Sequence, residues 1–140
     1  MSHRTLVVAP HPDDELLGVG GTLLRRKAEG GQVAWLLVTR ISVECGWSAE
    51  EVKKRAEEIE AVRAFIGFDA FYALDLPTTR LDTLPVGDLV GKMSEAFEAF
   101  EPHELFLPHP LDVHTDHRAT FVAGASCAKS FRCPSIRRVL

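Results

Sequence analysis

Two short polar segments carry most of the side chains that could do chemistry in this chain. The first reads APHPDDE (residues 9–15) and the second reads PHPLDVHTDH (residues 108–117). Four of the six histidines lie in these two segments. Imidazole nitrogens and carboxylate oxygens bind divalent metals such as zinc at about 2.0–2.2 Å, and a dication offsets the repulsion between adjacent carboxylates. We therefore expect one metal site built from both segments.

A catalytic metal site needs three protein ligands and an open position for water. His11, one of the two aspartates Asp13 and Asp14, and His117 supply such a set. The second aspartate is then free to take a proton from a metal-bound water, whose pKa falls from 15.7 toward about 7. His114 and His117 are three residues apart, so in a helical turn they share a face. One can bind the metal while the other, protonated, faces developing negative charge.

The elements that must position these segments alternate between strand and helix patterns. We expect strands at residues 5–9, 32–39, 70–76 and 104–107, the start of a fifth at 136–140, and helices at 18–29, 48–67, 86–100 and 115–131. This alternation predicts a Rossmann-like α/β fold, a three-layer sandwich with a mostly parallel sheet and helices on both faces. A chain of 140 residues predicts a single domain, residues 1–140. Such sheets bind ligands beyond the carboxyl ends of their strands, where both polar segments fall.

Composition excludes several other classes of protein. The net charge of −4 argues against a nucleic-acid partner, which usually needs a basic surface. Cys45, Cys127 and Cys133 have no C-x-x-C spacing and are expected to be reduced thiols of a cytoplasmic protein. No apolar run approaches the ~20 residues of a membrane span. Residues 18–21 (GVGG) lack the third glycine of a dinucleotide-binding motif.

The two segments together resemble the PIG-L/LmbE-like family, metal-dependent deacetylases that remove acetyl from N-acetylglucosamine groups. Residues 11–15 match the family's H-P-D-D-E, residues 114–117 match its H-x-D-H, and Arg55-x-x-Glu58 resembles its helical R-x-x-E. The resemblance implies an N-acetylated amino-sugar conjugate as the small-molecule substrate. Zinc is the metal it implies, and ferrous iron also suits such a nitrogen and oxygen site.

The resemblance also implies a role for each residue. His11, Asp14 and His117 would be the metal ligands, and Asp13 the general base. His114 would stabilise the oxyanion of the tetrahedral intermediate, and Asp116 would orient His114. Asp112 and Glu15 would support the site without binding the metal, although Glu15 could equally interact with the dipole of the first helix. Arg55 would reach the substrate, or form a plain surface pair with Glu58.

The chain departs from the family pattern at two places. The family often has Thr-x-Gly-Glu after the second strand, where this chain has residues 39–42 (TRIS). Family members are also usually longer, so a C-terminal part of the family fold is expected to be missing, and the exposed sheet edge would favour a homo-oligomer. Two alternatives therefore stay open. One is a truncated metal-binding remnant without catalysis, and the other is an iron oxygenase with two histidines and one carboxylate.

Overall fold

The computed structural model describes residues 2–140 as a parallel sheet with helices on both faces. The strands are β1 (Arg4–Ala9), β2 (Gln32–Arg40), β3 (Ala70–Pro77), β4 (Glu104–Phe106) and β5 (Arg138–Val139). The helices are α1 (Asp14–Ala28), α2 (Ala49–Ile66), α3 (Val86–Phe100) and α4 (Thr115–Cys127), with short 3-10 turns at Val43–Cys45 and Leu81–Thr83. The strand order is β3-β2-β1-β4-β5, and every pair is parallel. The expected α/β class is confirmed.

The central strands are apolar on both faces because both faces are covered. In β1 and β2 the odd and even positions divide between two cores, as the two-residue repeat of a strand requires. Leu36 packs into a core with Met93 and Phe97 of α3. Trp35 packs into the opposite core with Leu23 of α1 and Ile66 of α2. Helices α3 and α4 therefore cover one face, and α1 and α2 cover the other.

Two helix boundaries differ from the sequence prediction. Helix α1 begins at Asp14, four residues before the predicted Gly18. Acidic side chains in the first turn interact favourably with the positive end of the helix dipole, and this places Asp14 on a rigid element. Helix α4 ends at Cys127 instead of residue 131. Phe131 is 76% exposed, so no packing favours a longer helix there.

Helix α2 begins and ends as its sequence predicts. The hydroxyl of Ser48 accepts from the amide of Glu51, and the Glu51 carboxylate accepts from the amide of Ser48. This capping box satisfies two amides that the first helical turn leaves free. Gly67 ends the helix with a φ of +73°, a conformation that glycine adopts readily. Within residues 2–140, no helix combines the length and apolar character that crossing a membrane requires.

A buried carboxylate joins α1 to the sheet at the amino ends of the strands. Glu104 of β4 is 1% exposed and accepts from Arg26 Nε at 2.9 Å and Nη2 at 3.1 Å. It also accepts from the Thr5 hydroxyl of β1 at 3.1 Å. The hydrogen bonds from Arg26 hold the pKa of Glu104 below its ordinary value, despite burial. This ion pair fixes the last turn of α1 against the two strands.

Candidate metal centre

The two polar segments meet at the carboxyl ends of β1 and β4, which are neighbours in the sheet. His11 lies in the tight turn after β1, where its carbonyl accepts from the amide of Asp13 at 2.9 Å. The His11 amide donates to Asp14 Oδ2 at 2.9 Å, so this carboxylate folds back over the turn. His114 is the N-cap of α4, and His117 follows in the first turn of that helix.

Three side-chain atoms from these segments form a nearly equilateral triangle. His11 Nδ1 lies 3.5 Å from Asp14 Oδ2, and His117 Nε2 lies 3.3 Å from Asp14 Oδ2. His117 Nε2 lies 3.3 Å from His11 Nδ1. A tetrahedral ion with bonds of about 2.0–2.1 Å separates its ligand atoms by about 3.3–3.4 Å. A regular octahedral ion with bonds of about 2.1 Å separates neighbouring ligands by about 3.0 Å. The triangle therefore fits a tetrahedral ion better.

One hydrogen bond and one ion-pair contact behind the triangle bear on which ring nitrogens carry protons. His11 Nε2 lies 2.8 Å from Asp116 Oδ2, and His117 Nδ1 lies 3.1 Å from Asp112 Oδ2. Since a carboxylate only accepts, the neutral His11 ring that bonds Asp116 carries its proton on Nε2, and a proton on Nδ1 of neutral His117 would face Asp112 favourably. His11 Nδ1 and His117 Nε2 then present lone pairs to each other and to the Asp14 carboxylate. Three converging lone pairs repel one another unless a cation lies between them.

The pKa values of the side chains in the site follow from the same contacts. Burial disfavours protonation of His11, but its hydrogen bonds to Asp14 and Asp116 outweigh this and raise its pKa. Burial also opposes ionisation of Asp14, yet hydrogen bonds from His11 prevail and lower the pKa of Asp14. The amide of His114 donates to Asp112 and lowers the pKa of that carboxyl. The site thus favours ionised carboxylates, and a metal ion can replace the proton that His11 would otherwise hold.

Asp116 contacts His114, which the family resemblance implies that it orients, and it also contacts His11. We expected it to orient His114, and its backbone amide does donate to His114 Nδ1 at 3.0 Å. Its carboxylate, however, accepts from His11 and from the backbone amides of Thr79 at 2.7 Å and Leu81 at 3.1 Å. Because His114 Nδ1 accepts, the proton of the neutral ring lies on Nε2, where it can be donated.

The two acidic neighbours of Asp14 lie in contrasting surroundings. Asp13 is exposed, precedes α1 as its N-cap residue, and makes no side-chain capping bond. Glu15 is 0% exposed in the first turn of α1, and neither carboxylate oxygen has a hydrogen-bond partner among the described residues. Burial raises the pKa of Glu15 to about 7. Asp13 is therefore available to a ligand, whereas Glu15 lies behind the site.

A groove of about 800 Å³ opens from the triangle toward α2. His11, Asp13, Asp14, His114 and His117 line its metal end, and the remaining wall includes Trp47, Arg55, Ile59, Phe71, Asp75 and Thr79. Arg55 Nε also lies 3.2 Å from Glu58 Oε2, so it both lines the groove and forms the surface pair that its spacing predicts. The groove combines cationic, anionic and apolar side chains beside the candidate metal ligands.

Sequence reasoning missed the contribution of the turn after β3. This turn supplies the Thr79 and Leu81 amides to Asp116. Thr79 in this turn has a φ of +62°, and Asp75 near the end of β3 has a φ of +53°. The pair Thr78-Thr79 after Pro77 indicates a loop but does not show where its amides point. Only the tertiary contact with α4 gives these residues a place in the site.

Fold and site together define an α/β domain with a candidate mononuclear metal centre at the carboxyl end of a parallel sheet. Residues 6–128 match the PIG-L family, described as GlcNAc-PI de-N-acetylase. This match covers most of the chain and both polar segments. The chain belongs to the PIG-L family.

Individual relatives are similar over nearly all of this chain. The diacetylchitobiose deacetylase of Thermococcus kodakarensis is 26% identical, over 96% of this chain and 52% of that protein. The crystal structure of the conserved protein TT1542 from Thermus thermophilus superposes with a TM-score of 0.78 at 33% identity, over 96% of this chain and 63% of its own. The N,N′-diacetylchitobiose deacetylase from Pyrococcus horikoshii, in complex with an inhibitor, gives 0.77 at 23% identity, over 96% and 52%. The chain therefore spans 52% to 63% of the length of these relatives.

Proposed function

We propose that this protein is a metal-dependent hydrolase that removes the N-acetyl group from an N-acetylglucosamine-type conjugate. The observation that carries the proposal is the convergence of His11 Nδ1, Asp14 Oδ2 and His117 Nε2 beside an exposed carboxylate, Asp13, at the end of a groove. Membership of the PIG-L family and similarity to two proteins named diacetylchitobiose deacetylase support the substrate class. The groove volume of about 800 Å³ is large enough for a sugar with an attached group.

His11, Asp14 and His117 would hold the ion, and zinc is our choice because the ligand separations of 3.3–3.5 Å fit a tetrahedral site. When bound, zinc supplies a Lewis acid and lowers the pKa of a coordinated water. The alternative of an iron oxygenase uses the same ligand types, two histidines and one carboxylate, and the assay below separates it from the hydrolase. Reduced Cys45, Cys127 and Cys133 agree with a cytoplasmic protein.

The chain's own residues then divide the hydrolysis between them. The Asp13 carboxylate takes a proton from water as the water oxygen bonds to the amide carbon. The Nε2–H of His114 faces the oxygen that becomes negative in the tetrahedral intermediate. Asp13 returns its proton to the amide nitrogen, the carbon–nitrogen bond breaks, and acetate and the free amine leave. Arg55 contacts the substrate from the α2 side of the groove.

The test is acetate release from N-acetylglucosamine, N,N′-diacetylchitobiose and larger N-acetylglucosamine conjugates. Zinc-loaded wild type is compared with Asp13→Asn, and Asp82→Asn serves as an exposed carboxylate outside the groove. We expect Asp13→Asn to lose about 10²–10⁴-fold in rate while retaining its zinc, as general bases typically contribute. Equal rates for wild type and Asp13→Asn would remove Asp13 as the base. Stoichiometric zinc with no release from any conjugate would favour the non-catalytic remnant, and turnover requiring oxygen and a 2-oxo acid would favour the oxygenase.

A further inference from the structure

Thr79 has a backbone conformation that its residue type disfavours. Its φ is +62°, in the left-handed region, where a β-branched side chain is a genuine outlier. Such conformations persist only where the surrounding structure enforces them, and they cluster at functional sites. Here the Thr79 hydroxyl donates to the carbonyl of Thr78 at 2.7 Å, and the side chain of Thr78 is buried. The buried Thr78 side chain and the two amides donated to Asp116 hold the turn after β3 in this shape, whereas the Thr79 hydroxyl bond reaches only the adjacent residue.

That amide donates to the same carboxylate oxygen that contacts His11. Thr79 N lies 2.7 Å from Asp116 Oδ2, and His11 Nε2 lies 2.8 Å from it. The Leu81 amide donates to the other oxygen, Oδ1, at 3.1 Å. Asp116 is 0% exposed, so water does not compete for these oxygens. Two backbone donors on opposite oxygens prevent rotation of the carboxylate and leave Oδ2 directed at His11.

The direction of Asp116 determines which nitrogen of His11 can bind a metal. With Nε2–H donated to Asp116, the lone pair of the neutral ring is on Nδ1, the atom 3.5 Å from Asp14 Oδ2. If the carboxylate turned away, Nδ1 could carry the proton instead and donate it to Asp14. Partners of this kind fix the tautomer and orientation of metal-binding histidines.

We propose that Thr79 is a positioning residue, whose left-handed backbone places its amide on Asp116 and thereby fixes the ring tautomer of His11. This rests on the metal centre of the proposed function, but not on its deacetylase activity. Thr79 contributes through its amide and not through its side chain. The best replacement at this position is consequently a residue that keeps the amide and accepts a positive φ.

Two substitutions at the same position separate the amide from the side chain. Thr79→Gly keeps the N–H and adopts a positive φ without strain. Thr79→Pro removes the N–H and restricts φ to about −65°. We expect Thr79→Gly to bind zinc within about threefold of wild type, whereas Thr79→Pro should bind about 10–100-fold more weakly, the range for loss of a supporting contact.

The direct readout is the tautomer of His11 in metal-free, ¹⁵N-labelled protein at an alkaline pH where imidazoles are neutral. Wild type and Thr79→Gly should show the proton on Nε2, and Thr79→Pro should show a mixture with Nδ1. A predominantly Nε2-protonated ring in folded Thr79→Pro with unchanged zinc affinity would overturn the proposal. So would a loss in Thr79→Gly as large as that in Thr79→Pro, because the side chain would then be responsible.

If Thr79→Pro does not fold, the acceptor can be changed instead. A short hydrogen bond to a buried carboxylate shifts an amide proton downfield, so Asp116→Asn should move the Thr79 amide proton upfield. The Thr83 amide, which donates to the Arg80 carbonyl at 3.0 Å, is the matched control and should not move. A Thr79 amide proton unaffected by Asp116→Asn would refute the contact. Failure of acetate release leaves all these readouts unchanged, so the two proposals fail separately.

Discussion

Zinc binding should raise the free energy of unfolding by an amount that depends only on the zinc concentration relative to the Kd. The three ligand atoms are already 3.3–3.5 Å apart, so binding needs little rearrangement of the folded chain. A ligand that binds only the folded state at 100 times its Kd stabilises that state by about 2.7 kcal/mol. For a chain of this size 1 kcal/mol corresponds to roughly 3–5 °C in Tm, so the expected rise is about 8–14 °C.

The most specific form of this test compares a variant that lacks one candidate ligand with a variant that lacks a histidine outside the site. His11→Ala should raise the zinc Kd by at least about 100-fold, which at the same zinc concentration leaves about 0.4 kcal/mol of stabilisation. His3→Ala is the control, because His3 is exposed at the opposite end of the sheet and should keep the full shift. Thermal melts by circular dichroism, with and without zinc, measure both. An equal zinc-dependent shift in the two variants would refute the assignment of the triangle.

Two further predictions concern the carboxylates around the fold. Asp112→Ala removes the carboxylate that lies 3.1 Å from His117 Nδ1 and should weaken zinc binding about 10–100-fold. Asp112→Asn keeps an acceptor oxygen and should lose much less affinity. A zinc competition titration measures both variants, and equal losses would contradict this prediction. Glu104→Gln should destabilise the protein by about 2 kcal/mol at neutral pH, less than a fully buried pair because Arg26 is partly exposed. Since the folded-state pKa of Glu104 lies below its ordinary value of 4.5, its contribution is present above 4.5 and is lost as pH falls further. Urea unfolding of both proteins across this range should therefore show their difference shrinking in acid, and a constant difference would refute the linkage.

Much of the fold could be predicted because local pattern and tertiary packing agree. Helix α3 begins directly after Pro85 and spans the predicted residues 86–100, since its apolar positions lie on one face and pack against the sheet. The start of α1 was wrong because the acidic residues 14–15 fit both a loop and a first helical turn. Their place in the helix depends on the dipole, which periodicity does not detect.

For the site, the sequence motifs predict which side chains take part, but only the structure shows the contacts that hold them in place. The structure brings together His11, Asp14 and His117, which the family resemblance implies as ligands, and their role in binding stays a prediction. The partnership of Asp116 with His11 spans 105 positions in sequence. Its other partners are backbone amides from the turn after β3, and an amide carries no residue-specific signal. Residue types reveal ligands, but they do not reveal which backbone donors hold those ligands in place.

Helix α1 connects the candidate ligand Asp14 to the ion pair that Arg26 forms with the buried Glu104. Arg26 lies twelve residues after Asp14, about 18 Å along an axis that rises 1.5 Å per residue. A helix is stiff along its axis, so the ion pair at one end sets how far the other end projects toward the two imidazoles. The far end of the helix is thus anchored at the amino ends of the strands, opposite the metal centre. Fine adjustment of the metal centre is thereby open to residues that never approach it, and a survey of substitutions confined to the groove would overlook them.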